Sequence, residues 1–377
     1  MAKRPKRPEN HPAVARLLEQ AAANGAQETR NMHIVPNFYL KHWAEDGKVR
    51  VTDLATRRSR VRSTKKAAVE RDFYRLADPA LDPAEVPPQL AETLYGRVED
   101  MAAPLLRRIL DVRPTSVDVK SILNEEDRGW LLWFLAFQTT RGHSFRRQIQ
   151  SMNQKLLLLQ IEHLTDEGAL RSDMEDELGR RPTDEELKLR QEVLAQFRSG
   201  DLVPMSGNPE LTGLSQENAE HLLDPLFNRH WVLIETPAVL ITCDEPVVRI
   251  AGPPARRSLR SGVGSAAVVV FPLAPDAALC MFDYDRFPVP PTDRLDHVEV
   301  SELNREIAAF ADRVVFERPA KKVGERTQVP TPAPAVVWDP EVELVGEKPG
   351  RAIHSWVATR WASTSTPPPW PVESWWQ

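Results

Sequence analysis

The chain has 377 residues, of which 41% are apolar, and its formal net charge is −5. This length provides a core for one large domain or two smaller ones, and the charge excludes an overall attraction to nucleic acid or an anionic membrane. Two cysteines are too few for a disulfide framework, which indicates a reducing cytoplasm, and no apolar run is long enough to span a bilayer.

Residues 1–30 are predicted to form a basic leader and a short helix. No apolar stretch follows the basic residues, so the segment lacks the pattern of a secretory signal. Strands then follow, beginning with Lys48–Leu54, where apolar and polar side chains alternate. Region 57–66 of this meander is strongly basic and forms either a solvated face or a surface that contacts the phosphates of a nucleic acid. Its basic residues are Arg57, Arg58, Arg60, Arg62, Lys65 and Lys66.

Two helices dominate the middle of the chain. Gln89–Asp111 carries an apolar stripe at helical spacing, with Glu92 and Glu99 two turns apart on a neighbouring face. Glu125–Gln150 opens with acidic residues and is then apolar on every side, which is typical of a buried helix. Its apolar run ends at Gln138 and Arg141, so two strong polar groups reach the edge of the core.

The remaining sequence completes an α+β pattern. Around residues 151–228 we predict a charged helical insertion, with Thr183 or Asp184 capping one helix. Short β-branched strands follow from residue 230. The prediction is a main domain at 31–318 whose helical middle packs on a mixed, mostly antiparallel sheet built from N-terminal and C-terminal strands.

Residues 319–377 form a tail rich in proline and tryptophan. It contains Trp338, Trp356, Trp361, Trp370, Trp375 and Trp376. A disordered segment is normally poor in aromatic residues. The tail therefore either wraps back onto the domain or presents its tryptophans to a protein partner.

Standard catalytic signatures are missing, including those for phosphate loops, dinucleotide binding, zinc proteases and nucleophile elbows. Four dispersed polar clusters remain. They are His33 with Tyr39, Glu92 with Glu99, Gln138 with Arg141, and the turn that holds Asp244.

Each cluster has a functional and a structural interpretation. His33 would act as a general base or metal ligand, and Arg141 would clamp a carboxylate or phosphate. The glutamates would act as metal ligands or as an acid/base pair. Alternatively, all of these side chains form internal ion pairs and turns. Cys243, beside Asp244 and Glu245, is predicted to have a raised thiol pKa, which argues against a nucleophilic thiolate.

The order of six short motifs resembles the bacterial family named domain of unknown function 4238. The motifs are HIVPNFYLKHWAEDGKVRVTDL, VERDFY, QTTRG, ITCDEPVV, VVVFPLAPDAAL and LNREIAAFADRVVFE, and they cover roughly His33 to Glu317. The resemblance implies a soluble bacterial protein and supplies no activity.

The positions that match the family pattern are His33, Pro36, Tyr39, Gln138, Arg141, Asp244, Pro246 and Asn304. The chain departs from that pattern at Cys243 and Glu245, where the family has serine and asparagine, and at Ala274, where it has serine. These departures weaken any hydroxyl or amide role at the turn and leave the role of Asp244 intact.

Three hypotheses follow. In the first, the protein is a hydrolase acting on nucleic acid, with His33, Gln138, Arg141 and Asp244 in one cleft and either a divalent metal or none. In the second, the protein is a non-enzymatic module that binds a ligand, or a protein through its tail. In the third, the polar residues form a buried network that fixes the sheet against the helices.

Overall fold

The computed structural model describes residues 30–114, 118–163, 167–288, 291, 293–331, 336–339 and 354–377. The predicted leader, residues 1–30, lies almost entirely outside this part. The helices are α1 (Asn37–Leu40), α2 (Thr64–Ala67), α3 (Leu90–Val112), α4 (Glu125–Thr140), α5 (His143–His163), α6 (Glu167–Leu178), α7 (Asp184–Ser199), α8 (Asn208–Glu220), α9 (Leu223–Phe227), α10 (His297–Phe310) and α11 (Val323–Arg326). None of the helices within the described ranges is both long and apolar enough to cross a membrane.

Two four-stranded antiparallel sheets accompany these helices. The strands are β1 (Asn31–His33), β2 (Lys48–Asp53), β3 (Ser59–Ser63), β4 (Val69–Arg71), β5 (Arg229–Glu235), β6 (Thr242–Cys243), β7 (Val248–Ile250), β8 (Val268–Ala274), β9 (Ala277–Asp283), β10 (Val314–Glu317), β11 (Val336–Asp339) and β12 (His354–Val357). The first sheet has the order β3-β2-β10-β6, so strand β10 lies between the N-terminal strand β2 and strand β6. The second has the order β5-β9-β8-β7, and β1 pairs with β4 in a separate ribbon. This arrangement confirms the α+β class.

Helix α4 lies at the centre of the larger hydrophobic core, as its apolar sequence predicts. Phe134 is 1% exposed and contacts the rings of Phe38 and Phe271, at centroid distances of 5.6 and 5.9 Å. The helix therefore packs between the N-terminal segment and the second sheet. One turn later, Phe137 contacts Tyr95 of helix α3.

The prediction of one continuous helix over 125–150 was wrong, because the helix is interrupted at Arg141 and Gly142. Helix α4 ends at Thr140 and a new helix, α5, begins at His143. The Glu245 carboxylate accepts the Ser144 N–H at 2.7 Å and so caps the first turn of α5. A Cβ atom at Gly142 would lie 3.1 Å from Glu245 Oε1, which makes glycine suited to this close approach.

The charged region after α5 forms an arm of exposed helices. Helices α6 and α7 share a small apolar cluster that includes Leu170, Met174 and Leu187. Thr183 is the N-cap of α7 and forms a capping box with Glu186, which confirms the predicted start of this helix.

The last twenty residues pack against the domain. Trp375 is 2% exposed and its ring lies 5.4 Å from that of Phe282, while the indole N–H of Trp361 donates to Glu306. Arg257 stacks on Trp361 and forms an ion pair with Glu306. These contacts support the wrapping alternative for this part of the tail. The side chains of Trp338 and Trp356 lie outside the described residues.

The burial of Trp375 predicts that the end of the chain contributes to stability. Truncating Trp375 to alanine should lower the free energy of unfolding by about 3–5 kcal/mol, because a buried indole is lost and a cavity remains. Urea unfolding measures this loss. Leu189→Ala, at a side chain that is 63% exposed, is the control and should change stability by less than about 0.5 kcal/mol. Equal effects of the two substitutions would contradict the docking of this segment.

Candidate functional site

Arg141 lies at the end of helix α4 as a buried cation. Its side chain is 2% exposed, and Nη1 donates to Glu99 Oε1 of helix α3 at 2.7 Å. The guanidinium carbon also lies 5.5 Å from the centre of the Tyr95 ring. Two of the predicted clusters, Gln138 with Arg141 and Glu92 with Glu99, therefore meet between helices α3 and α4.

Glu92 lies two turns before Glu99 on the same helix. Burial and the charge of Glu99 raise the pKa of Glu92 to about 7, although Arg141 acts in the opposite direction. A carboxyl group with this pKa exchanges its proton near neutral pH, which is a property of catalytic acids and of buried carboxyl groups alike.

His33 and Gln138 complete this interior group. Burial lowers the pKa of His33, a hydrogen bond to the Lys65 backbone opposes this, and the charge of Arg141 lowers it further, so the imidazole is neutral near pH 7. Gln138 is 4% exposed and lies three residues before Arg141 on the same helix face. Neither its amide nitrogen nor its oxygen has a hydrogen-bond partner among the described residues.

Tyr39 and Asn304 lie apart from this group and hold the framework. The Tyr39 hydroxyl contacts Thr242 Oγ1 at 2.6 Å and donates to the Pro272 carbonyl at 2.7 Å. Asn304 accepts the Ile241 N–H and donates to the Val239 carbonyl. Both side chains thus support the segment around strand β6.

Asp244 also binds backbone. Its two carboxylate oxygens accept the N–H groups of residues 312–314 at 2.8 to 2.9 Å. Burial, Glu245 and Asp312 raise its pKa to about 7, although the N–H groups of Arg313 and Val314 favour the ionised form. Burial likewise raises the pKa of the Cys243 thiol, as predicted, which argues against a thiolate nucleophile.

A cleft of about 480 Å³ lies beside Asp244. Its floor is one face of the first sheet, formed by Val51, Val314 and Phe316. Three arginines of the predicted basic region line one wall, and residues 67–70 line the other together with His143. The three arginines are Arg58, Arg60 and Arg62.

These three arginines are exposed, and within the described part of the chain their side chains form no ion pair or hydrogen bond. Alternation along strand β3 points Arg60 and Arg62 to the same side of the sheet as Val51 and Val49, their partners on β2. The cleft thus combines an apolar floor with unpaired positive charge.

His143 and Glu70 form a hydrogen-bonded pair in the opposite wall. His143 Nε2 lies 2.7 Å from Glu70 Oε1. Burial lowers the pKa of His143, but Glu70 and the charges of Asp312 and Asp244 outweigh it, and the net pKa is raised. The sequence analysis missed both residues, because only their meeting across 73 positions gives them a role.

Arginine and aspartate also pair at the rim of the cleft. Arg313 Nε donates to Asp53 at 3.1 Å, and Arg147 contacts Asp312. No group of three or more His, Cys, Asp or Glu side chains in the described ranges is arranged to hold a metal ion.

Comparison with known proteins yields one match. The sequence model of a family described as "Protein of unknown function (DUF4238)" matches residues 31–321, which is most of the chain. Searches of curated proteins and of solved structures found no match.

The raised pKa of Glu92 predicts a pH-dependent stability. Its folded-state pKa of about 7 exceeds the ordinary value of 4.5, so the folded protein retains a proton that the unfolded chain releases. This contribution to stability is complete below about pH 4.5 and is lost as pH rises through 7. The free energy of unfolding of Glu92→Gln should therefore be about 1–2 kcal/mol higher than that of the wild type at pH 8.

Urea unfolding at pH 5 and pH 8 measures this difference. The control is Glu220→Gln, at an exposed glutamate at the end of helix α8, which should leave the wild-type pH profile unchanged. A Glu92→Gln variant that is less stable than the wild type at both pH values would show that the carboxylate is required in its ionised form.

Proposed function

This chain belongs to the DUF4238 family, a family defined without an activity, and from its own geometry we propose that the cleft binds the phosphodiester backbone of a nucleic-acid strand. The observation that carries this proposal is a set of unpaired arginines that faces His143 across an apolar floor. The set consists of Arg60 and Arg62 on β3 and Arg58 immediately before it, and these three are called the β3 arginines below. Guanidinium groups bind phosphate oxygens through paired N–H donors.

The spacing of the arginines suits an extended chain of phosphates. Alternate residues on one strand face are about 6.6 Å apart, which is comparable to the separation of successive phosphates along a polynucleotide strand. Strand β3 lies at the edge of its sheet, so a ligand can approach these side chains from outside. Because the net charge is −5, attraction of a polyanion requires a local positive patch such as this one.

Removing the arginines should weaken the binding of a nucleic-acid strand and also reduce the salt dependence of that binding. The triple substitution Arg58→Gln, Arg60→Gln and Arg62→Gln should lower the affinity for a fluorescent single-stranded oligonucleotide at least tenfold in low salt. The slope of log affinity against log salt should fall by about 2, since each phosphate contact on a single strand contributes about 0.7. Fluorescence anisotropy over a salt series measures both.

The matched control removes equal charge from the helical arm through Lys188→Gln, Arg190→Gln and Arg198→Gln. This variant should bind as the wild type does. Equal losses in the two variants would indicate a nonspecific charge effect, and unchanged binding in the β3 variant would exclude the cleft as the binding site.

Hydrolysis of the bound strand is the second candidate function, and the His143–Glu70 pair favours it. Above its raised pKa, His143 is neutral and would accept a proton from water as the water oxygen bonds to phosphorus. The phosphorus–oxygen ester bond then breaks, and the departing oxygen takes that proton from His143. Glu70 would orient the ring and stabilise the imidazolium, while the β3 arginines would stabilise the added negative charge. The non-enzymatic alternative is binding through the same contacts without this step.

His143→Gln should separate binding from hydrolysis. We expect oligonucleotide cleavage to fall by about 10²–10⁴-fold while the dissociation constant changes less than about threefold. Gel analysis of an end-labelled oligonucleotide measures cleavage. His221→Gln, at an exposed histidine that ends helix α8, is the control. Cleavage by His143→Gln at the wild-type rate would rule out this role, and absence of cleavage by the wild type would leave strand binding as the function.

A further inference from the structure

Two buried arginines face a pair of tyrosine rings behind the cleft. Arg141 and Arg146 are 2% and 7% exposed. The guanidinium of Arg141 lies 5.5 Å from the Tyr95 ring and that of Arg146 lies 5.6 Å from the Tyr74 ring. Because the two rings are in edge contact at 4.9 Å, both cations border the same small region.

The two arginines differ in their partners. Glu99 pairs directly with Arg141, whereas Arg146 donates to two neutral groups, Asn208 Oδ1 and Thr212 Oγ1. In the described part of the chain, no carboxylate lies within ion-pair distance of Arg146. The charge of Glu70 acts on Arg146, but Glu70 is already hydrogen-bonded to His143. A buried cation without a counter-charge is costly.

Several hydrogen-bond donors in this region also have no partner among the described residues. They are Nε and Nη2 of Arg141, Nε of Arg146 and the hydroxyl of Tyr74. The Nε and Nη2 atoms of one guanidinium point along a single edge, the geometry that binds two oxygens of a carboxylate or phosphate. The same set thus supplies both positive charge and directed donors.

We propose that a phosphate-like oxyanion binds between Arg141 and Arg146, against the Tyr74 hydroxyl. This site is distinct from the β3 arginines and goes beyond the proposed function of the cleft. The bound anion would place negative charge beside Arg146, which has no carboxylate at ion-pair distance, and would accept hydrogen bonds from the unpartnered donors. Its source is either free inorganic phosphate or the terminal phosphate of a strand, since both present the same oxygens.

Glu92 makes this binding depend on pH. Glu92 faces Glu99 on its own helix, Arg141 on helix α4 and Tyr74 after strand β4. Glu70, His143 and His33 border the same region from the β1–β4 ribbon and helix α5. Ionised Glu92 opposes an incoming anion and protonated Glu92 does not, so the oxyanion binds more tightly at pH 6 than at pH 8.

Titration of the full chain with inorganic phosphate tests the site. Isothermal titration calorimetry should show that the ratio of the dissociation constant at pH 8 to that at pH 6 is several-fold larger for the wild type than for Glu92→Gln, since the ionisation of phosphate itself affects both proteins equally. Tyr74→Phe keeps the packed ring and removes one donor, and it should weaken binding about tenfold, as expected for a hydrogen bond to a charged group. Tyr284→Phe, at a tyrosine that is 40% exposed, is the matched control and should bind as the wild type does.

The triple variant of Arg58, Arg60 and Arg62, called the β3 triple variant, distinguishes this site from the cleft. It should lose oligonucleotide binding and retain the binding of inorganic phosphate. Phosphate binding that disappears with the β3 arginines would assign the anion to the cleft and overturn the proposal. Absence of phosphate binding by the wild type at pH 6, or equal binding by wild type and Tyr74→Phe, would also overturn it.

A final comparison identifies the source of the anion. If 5′-phosphorylated oligonucleotides bind more tightly than 5′-hydroxyl ones, and Tyr74→Phe removes the difference, the ligand is a strand end. If the two oligonucleotides bind equally while inorganic phosphate binds in a Tyr74-dependent manner, the ligand is the free ion. Circular dichroism establishes that each variant is folded.

Discussion

The turn that follows strand β6 connects the parts of the molecule that form the cleft. Thr242 contacts the hydroxyl of Tyr39, Asp244 accepts three backbone N–H groups at the start of strand β10, and Glu245 caps helix α5. Glu245 also forms an ion pair with Arg260 at 2.6 Å. These interactions are buried, where loss of one partner leaves the other unsatisfied, so the turn fixes the N-terminal segment, the first sheet and helix α5 relative to one another.

Both walls of the cleft depend on this connection. The basic wall belongs to strand β3, whose position is set through β2 by pairing with β10. The opposite wall contains His143, the first residue of the helix that Glu245 caps. The Glu245 carboxylate serves two donors of different kinds, the Ser144 N–H and the Arg260 guanidinium. Glu245 therefore adds an ionic contact between the turn and the loop that connects β7 to β8.

The sequence was informative wherever a local rule decides the structure. Helical spacing predicted α3, the apolar run predicted the buried α4, and the capping preference of Thr183 or Asp184 predicted the start of α7. The basic character of strand β3 was also visible. The break at Gly142 was not, because it depends on Glu245, about a hundred positions later in the chain.

The candidate site was predictable in part for the same reason. Arg141, Glu92 and Glu99 were chosen as strong polar groups on helix faces, and their helices do pack together. Tyr39 was chosen as a neighbour of His33 and Asn304 by resemblance, and the hydrogen bonds of both support the framework instead of lining the cleft. His143 and Glu70 carry no local signal, since a histidine acquires its role from the carboxylate that the fold places beside it.

The most direct measurement of whether the two walls face one ligand is the pKa of His143, followed by NMR of its ring protons. A phosphate group held by the β3 arginines would bring negative charge close to the imidazole and raise this pKa further. Addition of a short single-stranded oligonucleotide is therefore predicted to move the His143 titration to higher pH in the wild type and to leave it unchanged in the β3 triple variant. An oligonucleotide that binds the wild type with no change in the His143 titration would contradict the account.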